Sequence, residues 1–226
     1  MIQTDRQIAE YVRTLNMIEP FEPGQIRQYH PCGQDGLEPR GVISYGLSSF
    51  GYDCRTSEEF KVIRPFPVEP NEALTMRDNG LWVTSDGKFF YGNQILDPKD
   101  IDPRFYHSVP VQDDPRRGKF IVLAPGAYCL SHSIEYFRIP ANVTVVCVGK
   151  STYARAGLVV NVTPLESGWE GQVTLEFTNC TPVPIRVYAN EGICQFKFMA
   201  GLLPDVTYAS RNGKYQHQTG ITLPKL

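Results

Sequence analysis

Residues 172–178 read QVTLEFT: Val173, Leu175 and Phe177 alternate with Thr174, Glu176 and Thr178. A period of two belongs to a β-strand, so the apolar set lines one face and Glu176 stands on the other. Outward from this stretch the chain keeps the same character. Short β-branched and aromatic runs at 120–124, 143–148, 185–188 and 193–199 are separated by Gly, Pro and Asn. That pattern predicts an all-β fold, a barrel or a sandwich. The exception is the beginning, where Thr4 to Gln7 form a capping-box pattern and Ile8, Val12 and Leu15 recur at helical spacing, predicting a short amphipathic helix that ends before Pro20. A proline-marked middle segment from 64 to 118 carries turn signals at 78–80 and 86–87, between and after which 81–84 and 88–91 pattern as a hairpin.

Twenty-two basic residues against 24 acidic ones give a net charge of −2 over 226 residues, 42% of them hydrophobic. A chain of this length and composition buries a core and fits one domain, 1–226. Its charge gives little to a nucleic acid or a membrane surface, so neither is an expected partner. The six cysteines are scattered singly, and Cys129, Cys147 and Cys194 fall in apolar runs as small buried hydrophobes. With neither a signal-peptide pattern nor an 18-residue apolar run, the thiols are expected reduced and the chain cytoplasmic. The sequons at Asn142, Asn161 and Asn179 then carry no glycosylation meaning.

The stretch 149–157, GKSTYARAG, supplies the chemistry that a strand face lacks. Ser151 and Arg155, four apart, share a face of one helical turn that Gly157 stops. Such a start beside Lys150 and Arg155 suits an anion; it is equally a short helix with Ser151 as N-cap. A triphosphatase P-loop is excluded, because the glycine it needs five residues before Gly149 is Thr144. Glu176 by itself is a solvated strand residue; this basic turn makes it a catalytic candidate.

These residues carry a resemblance. Residues 44–55 (SYGLSSFGYDCR), the stretches IEYFRIP, GKSTYARAGLVVNVTPLESGWEGQVTLEF and YANEGICQF in the block beginning at Ile134, and GKYQHQTGITLP near the C-terminal end resemble, in order, segments of the dCTP deaminases. That family shares a superfamily with trimeric dUTPases. The resemblance implies a distorted β-barrel of the dUTPase-like β-clip type with a short N-terminal helix, assembled as a homotrimer with sites between subunits. It implies that Glu176 carries protons, that Ser151 and Arg155 hold the reacting water and substrate, and that Lys150, Thr152, Tyr153 and Ala154 belong to the nucleotide-binding turn. It also implies nucleotide contacts from Glu166, Thr174, Leu175, Gln195, Tyr208, Lys214 and Gln218. Segments near 23–39 and 64–94 look like insertions relative to shorter members, and Thr219 stands where a basic residue is common. The tail GKYQHQTG reads either as a strap closing over the phosphates or as a disordered end.

The implied reaction is hydrolytic deamination of dCTP to dUTP and ammonia, which supplies dUTP for dUMP and dTTP synthesis; dTTP is the expected feedback inhibitor. Many deaminases activate water on zinc held by an H-x-E…P-C-x-x-C signature. Here the nearest fragment, His30-Pro31-Cys32, lacks the Glu and the second Cys. No zinc is expected; His30, His107, His132 and Cys32 read as structural or surface residues, and Mg²⁺ enters with the triphosphate beside Lys150 and Lys214. The alternatives are a dUTP pyrophosphatase, a bifunctional enzyme that continues to dUMP, and a regulator that binds nucleotide without turnover. Bifunctional relatives carry an aspartate ten residues before the catalytic glutamate, and here that position is Glu166.

Overall fold

The computed structural model describes residues 1–29, 40–64, 74–76, 82–84, 89–90 and 95–226. Helix α1 (Asp5–Leu15) is followed by the short strands β1 (Ile18–Glu19) and β2 (Ile26–Tyr29), then by β3 (Arg40–Ser48) and β4 (Gly51–Arg55). Next come β5 (Lys61–Ile63), β6 (Leu74–Met76), β7 (Trp82–Thr84) and β8 (Phe89–Phe90). A 3-10 turn (Pro103–Phe105) leads into β9 (Tyr106–Ser108), β10 (Gln112–Asp114) and β11 (Gly118–Leu123). The remainder runs β12 (Tyr128–Arg138), β13 (Val143–Gly149), α2 (Ser151–Arg155), β14 (Leu158–Asn161), β15 (Glu170–Asn179), β16 (Ile185–Tyr188) and β17 (Gly192–Ala200).

The expected all-β fold is what the chain builds, and its distortion is specific. The hydrogen bonds do not close around one barrel. They run in a six-stranded sheet ordered β14-β15-β12-β5-β9 with β1 beside β12, a five-stranded sheet ordered β13-β17-β4-β3-β2, and the three-stranded sheets β10-β11-β16 and β6-β7-β8. The two large sheets share one apolar core in which Phe137 of β12 meets Phe196 of β17 edge to face at 5.1 Å. The expected hairpin is the β7–β8 pair, with Trp82 opposite Phe90, and β6 adds a third strand to it. Residues 30–39, with His30 and Cys32, and much of 64–94 lie outside the described residues.

In α1 the capping box forms: the Gln7 amide donates to Thr4 Oγ1 at 3.5 Å and the Thr4 amide to Gln7 Oε1 at 3.0 Å. Ile8 is fully buried, whereas Leu15, the third residue of the expected stripe, is exposed in the last turn. Strand β15 alternates as its sequence requires, with Val173, Leu175 and Phe177 buried and Thr174, Glu176 and Thr178 half-exposed.

Its neighbour β12 inverts the rule: the inward positions include Ser131, Ser133 and Glu135, all fully buried. These polar groups stitch the sheets together. Glu135 takes the Arg55 Nε–H at 2.7 Å and the Arg55 amide at 3.0 Å, and Ser131 Oγ accepts from Thr56 at 2.8 Å while donating to Glu59 O at 2.7 Å. Partnered in this way, buried polar atoms are tolerable where unpaired ones would not be. Asn179, one of the three sequon residues, is fully buried and donates to Leu123, Ala124 and Val183 carbonyls.

Two readings of single residues are corrected. Ser151 is not the N-cap of α2: Lys150 holds that position, no side chain caps the turn, and Ser151 is its first exposed residue. Cys147 is half-exposed, because the outer end of β13 runs past its cover, whereas Cys54, Cys129 and Cys194 are buried. The described cysteines are all unpaired, and no helix of the described residues is long and apolar enough to cross a membrane.

Candidate active site

The outer face of the β12–β15 pair floors a cavity of about 620 Å³. Register places Glu176 opposite Leu130 on one side and Asn161 of β14 on the other. The Asn161 Nδ2 donates to Glu176 Oε2 at 2.7 Å. Burial pushes the Glu176 carboxyl above its ordinary value, and the Asn161 bond, which favours the charged form, draws it partly back. Arg155 takes no part in that balance within the chain. Tyr128, two residues before Leu130 on the same face, also lines the cavity; burial and then the Glu176 charge push its hydroxyl up to about 12.

Glu166, Thr174, Tyr208, Lys214 and Gln218 share this cavity with Glu176. Glu166 is ion-paired with Arg211, whose guanidinium lies over the Tyr208 ring at 5.2 Å. The C-terminal segment closes one side as a strap. Gln218 exchanges hydrogen bonds with the Gln172 backbone, its carbonyl accepting at 2.9 Å and its Nε2 donating at 2.7 Å. The Gly220 amide donates to Gln172 Oε1 at 2.9 Å, and the Thr222 amide to Thr174 Oγ1 at 3.2 Å. Trp169 anchors the start of the strap through an Nε1–H bond to Tyr215 O at 3.0 Å. Gly171 makes room for it: at φ +153 a Cβ there would lie 2.9 Å from Gln218 O.

The other candidate residues gather elsewhere. Ser151, Thr152, Ala154 and Arg155 are exposed on α2, and none of them lines the Glu176 cavity. Tyr153 is buried and its hydroxyl accepts from the Tyr188 amide at 2.8 Å, which bolts α2 to β16. Lys150 gives its ammonium to Asp53 at 2.7 Å with both side chains nearly buried. Gln195, opposite Asp53 in the β17–β4 register, donates to Ser48 Oγ at 3.0 Å and belongs to this second group. Leu175 is fully buried and reaches neither place with its side chain. One chain thus carries two separate groups of candidate residues: a carboxylate-bearing cavity and a hydroxyl- and guanidinium-bearing turn.

Asn161, Tyr128, Trp169 and Arg211 escape sequence reasoning. Asn161 is silent until the β14–β15 register is known, and Arg211 until the strap folds back 45 residues onto Glu166. Neither His132 nor His107 lines the cavity: the first has Nδ1 2.9 Å from Ser133 O, and the second is held below its ordinary value by burial. Among the described residues no three His, Cys, Asp or Glu side chains converge as metal ligands.

The family model described as dCTP deaminase-like matches residues 2–201. Curated relatives named dCTP deaminase include those of Herpetosiphon aurantiacus and Erythrobacter litoralis, each 45% identical over 226 residues, covering 100% of this chain and 99% of theirs. The dCTP deaminase of Xylella fastidiosa strain M12 is 44% identical over 227 residues, covering 99% and 98%. Among solved structures, the 2′-deoxycytidine 5′-triphosphate deaminase of Agrobacterium tumefaciens superposes with a TM-score of 0.51 at 17% identity. The match spans 88% of this chain and 48% of that one, a likeness of fold.

Proposed function

The chain belongs to the dCTP deaminase-like family, and we propose that it hydrolyses dCTP to dUTP and ammonia with Glu176 as the proton carrier, Ser151 and Arg155 of a neighbouring copy completing the site. Membership makes it a hydrolase of dCTP. The observation that carries the mechanism is the position of Glu176: partly desolvated, held by the Asn161 amide, on the floor of a cavity of about 620 Å³. A carboxyl with a raised pKa trades protons close to neutrality.

Glu176 takes a proton from water as its oxygen attacks C4 of the cytosine, and passes it to ring N3. A second transfer from the attacking oxygen, relayed by the same carboxylate, releases the C4 amine as ammonia and leaves the carbonyl of uracil. One such group contributes about 10²- to 10⁴-fold, so orientation and charge stabilisation supply the rest. Ser151 and Arg155 suit that role, since they stand on one face of α2, exposed and outside their own chain's cavity. This separation supports a homotrimer in which each site is shared between copies.

Zinc independence rests on the missing signature in the sequence. Mg²⁺ would ride on the triphosphate; the cavity's Lys214 and Arg211 suit the phosphate end, and its carboxylates Glu166 and Glu176 are already engaged by Arg211 and Asn161. Thymidine triphosphate, with the same phosphates on a pyrimidine nucleoside, fits the same cavity as feedback inhibitor. The 226 residues act as one deaminase domain, with the segments near 23–39 and 64–94 as elaborations.

The second reading, continuation to dUMP, needs a carboxylate free to activate another water. Glu166 stands where bifunctional relatives carry aspartate, and it is paired with Arg211, so dUTP is expected to accumulate. Chromatography of a dCTP reaction checks this: dUTP and ammonia in equal amounts are expected. Formation of dUMP and pyrophosphate at the rate of ammonia release would establish the bifunctional reading instead.

A further inference from the structure

Burial is the first cause that raises the Glu176 carboxyl, so neighbouring side chains keep water off it, and strand register says which ones can. Along β15 its same-face neighbours are Thr174 and Thr178, small and half-exposed. On the β14 side stands Asn161, whose amide favours the charged form and so works against the rise. On β12 the facing residues are Tyr128, Leu130 and His132, opposite Thr178, Glu176 and Thr174. His132 is engaged elsewhere, its Nδ1 2.9 Å from Ser133 O and its Nε2 3.6 Å from Glu59. Leu130 is itself buried and forms part of the cavity floor. Tyr128 is the one of the three that stands out into the cavity, 36% exposed and one diagonal step from Glu176, a separation that an aromatic ring spans.

The Glu176 charge is felt at the Tyr128 hydroxyl, so the ring stands near the carboxylate. Tyr106 of β9 also lines the cavity and acts on the same hydroxyl. Both phenols are raised by burial, so each stays un-ionised at neutral pH and brings no charge to this side. On β13, Cys147 senses Glu176 as a neutral thiol, raised by its contact with Cys194 and by burial. The remaining titratable groups of the cavity are Glu166, paired with Arg211, Lys214, whose ammonium donates to Lys225 O, and the phenols Tyr208 and Tyr215. None of these shifts the Glu176 carboxyl, which answers to burial first and to Asn161 second.

We propose that Tyr128 is a positioning residue of the deamination, its ring the wall that keeps water from Glu176 on the side away from Asn161. The proposal rests on Glu176 being the proton carrier of dCTP hydrolysis. Wall and amide then oppose each other. Tyr128 favours the protonated carboxyl and Asn161 the charged one, and their balance lets the same group take a proton from water and give it to ring N3.

The test compares wild type, Tyr128→Phe, which keeps the ring, and Tyr128→Thr, which removes it but suits a strand position facing Thr178. The readouts are the pH profile of kcat/KM for dCTP and, without substrate, the titration of the Glu176 carboxyl by carboxyl-carbon NMR, assigned by its absence in Glu176→Gln. Loss of the wall hydrates the carboxylate. In Tyr128→Thr both the acid limb and the carboxyl titration should therefore move to lower pH, the direction opposite to that expected of Asn161→Ala. At neutral pH kcat should fall about tenfold with KM within about threefold, a part of the roughly 10²- to 10⁴-fold that such a carrier contributes. Tyr128→Phe should leave limb and titration where wild type has them. A titration unmoved in folded Tyr128→Thr would overturn the wall, and so would Tyr128→Phe moving as far as Tyr128→Thr, which would assign the effect to the hydroxyl. Wild type inert towards dCTP, or a titration that moves while the limb does not, would sink the proposed function instead, so the two failures are distinguishable.

Discussion

Among single residues, the proposed chemistry turns on Glu176 and its donor Asn161. Replacing Glu176 with Gln keeps the shape but removes the exchangeable proton. Turnover should fall by about 10²-fold or more while nucleotide binding persists, and activity within tenfold of wild type would contradict the assigned role. The same variant carries a stability signature. Because burial raises the Glu176 pKa above 4.5, the folded chain holds that proton more tightly than the unfolded chain does. The charged carboxylate therefore costs stability at pH values above the folded pKa, and the cost vanishes below the unfolded value. Glu176→Gln should melt higher than wild type at about pH 8, with the gap closing as pH falls below about 4. A gap that widens in acid would have the wrong sign.

Asn161 gives the complementary test. Its bond favours the carboxylate, so Asn161→Ala should push the Glu176 pKa higher and move the acid limb of the kcat/KM profile to higher pH. An acid limb that stays in place would remove Asn161 from the mechanism. That Glu176 leaves the apolar face is legible in the sequence, because strand alternation is a local property. Asn161 is not legible there, because its partner is chosen by inter-strand register.

Among the elements, the strap and the floor strands behave differently under the same logic. The strap is held to β15 chiefly by backbone and amide hydrogen bonds of Gln172, Gln218 and Gly220. Few of its side chains are buried, so it sits at the low-stability end of the fold. Gly171→Ala should displace it without unfolding the sheets. The expected result is faster amide exchange at 216–222 and a higher KM, with a melting temperature lowered by only a few degrees; unchanged exchange there would show that the strap does not depend on Gly171. The strands β11, β13, β15, β16 and β17 are legible because their inward residues are apolar. Strand β12 is not, because its inward positions carry Ser131, Ser133 and Glu135, and their partners Thr56, Ser57 and Arg55 come from more than 70 residues earlier.

For the whole molecule, the separation of Glu176 from Ser151 and Arg155 has the largest consequence. The resemblance implies the residues and the trimer, and the single-chain fold supports the proposed assembly: α2 is bolted to β16 by Tyr153 and to β4 by Lys150, outside its own chain's cavity. In the proposed trimer, three chains of 25.5 kDa would share three sites and account for both groups of residues at once. The decisive measurement is complementation between two inactive proteins, Glu176→Gln and Arg155→Ala, dissociated, mixed in equal amounts and reassembled. Random reassortment should pair an intact cavity with an intact turn at about one site in four, so about a quarter of wild-type activity should return. Mixed trimers, verified by native mass spectrometry, that remain inactive would contradict the shared site and confine the chemistry to a single chain.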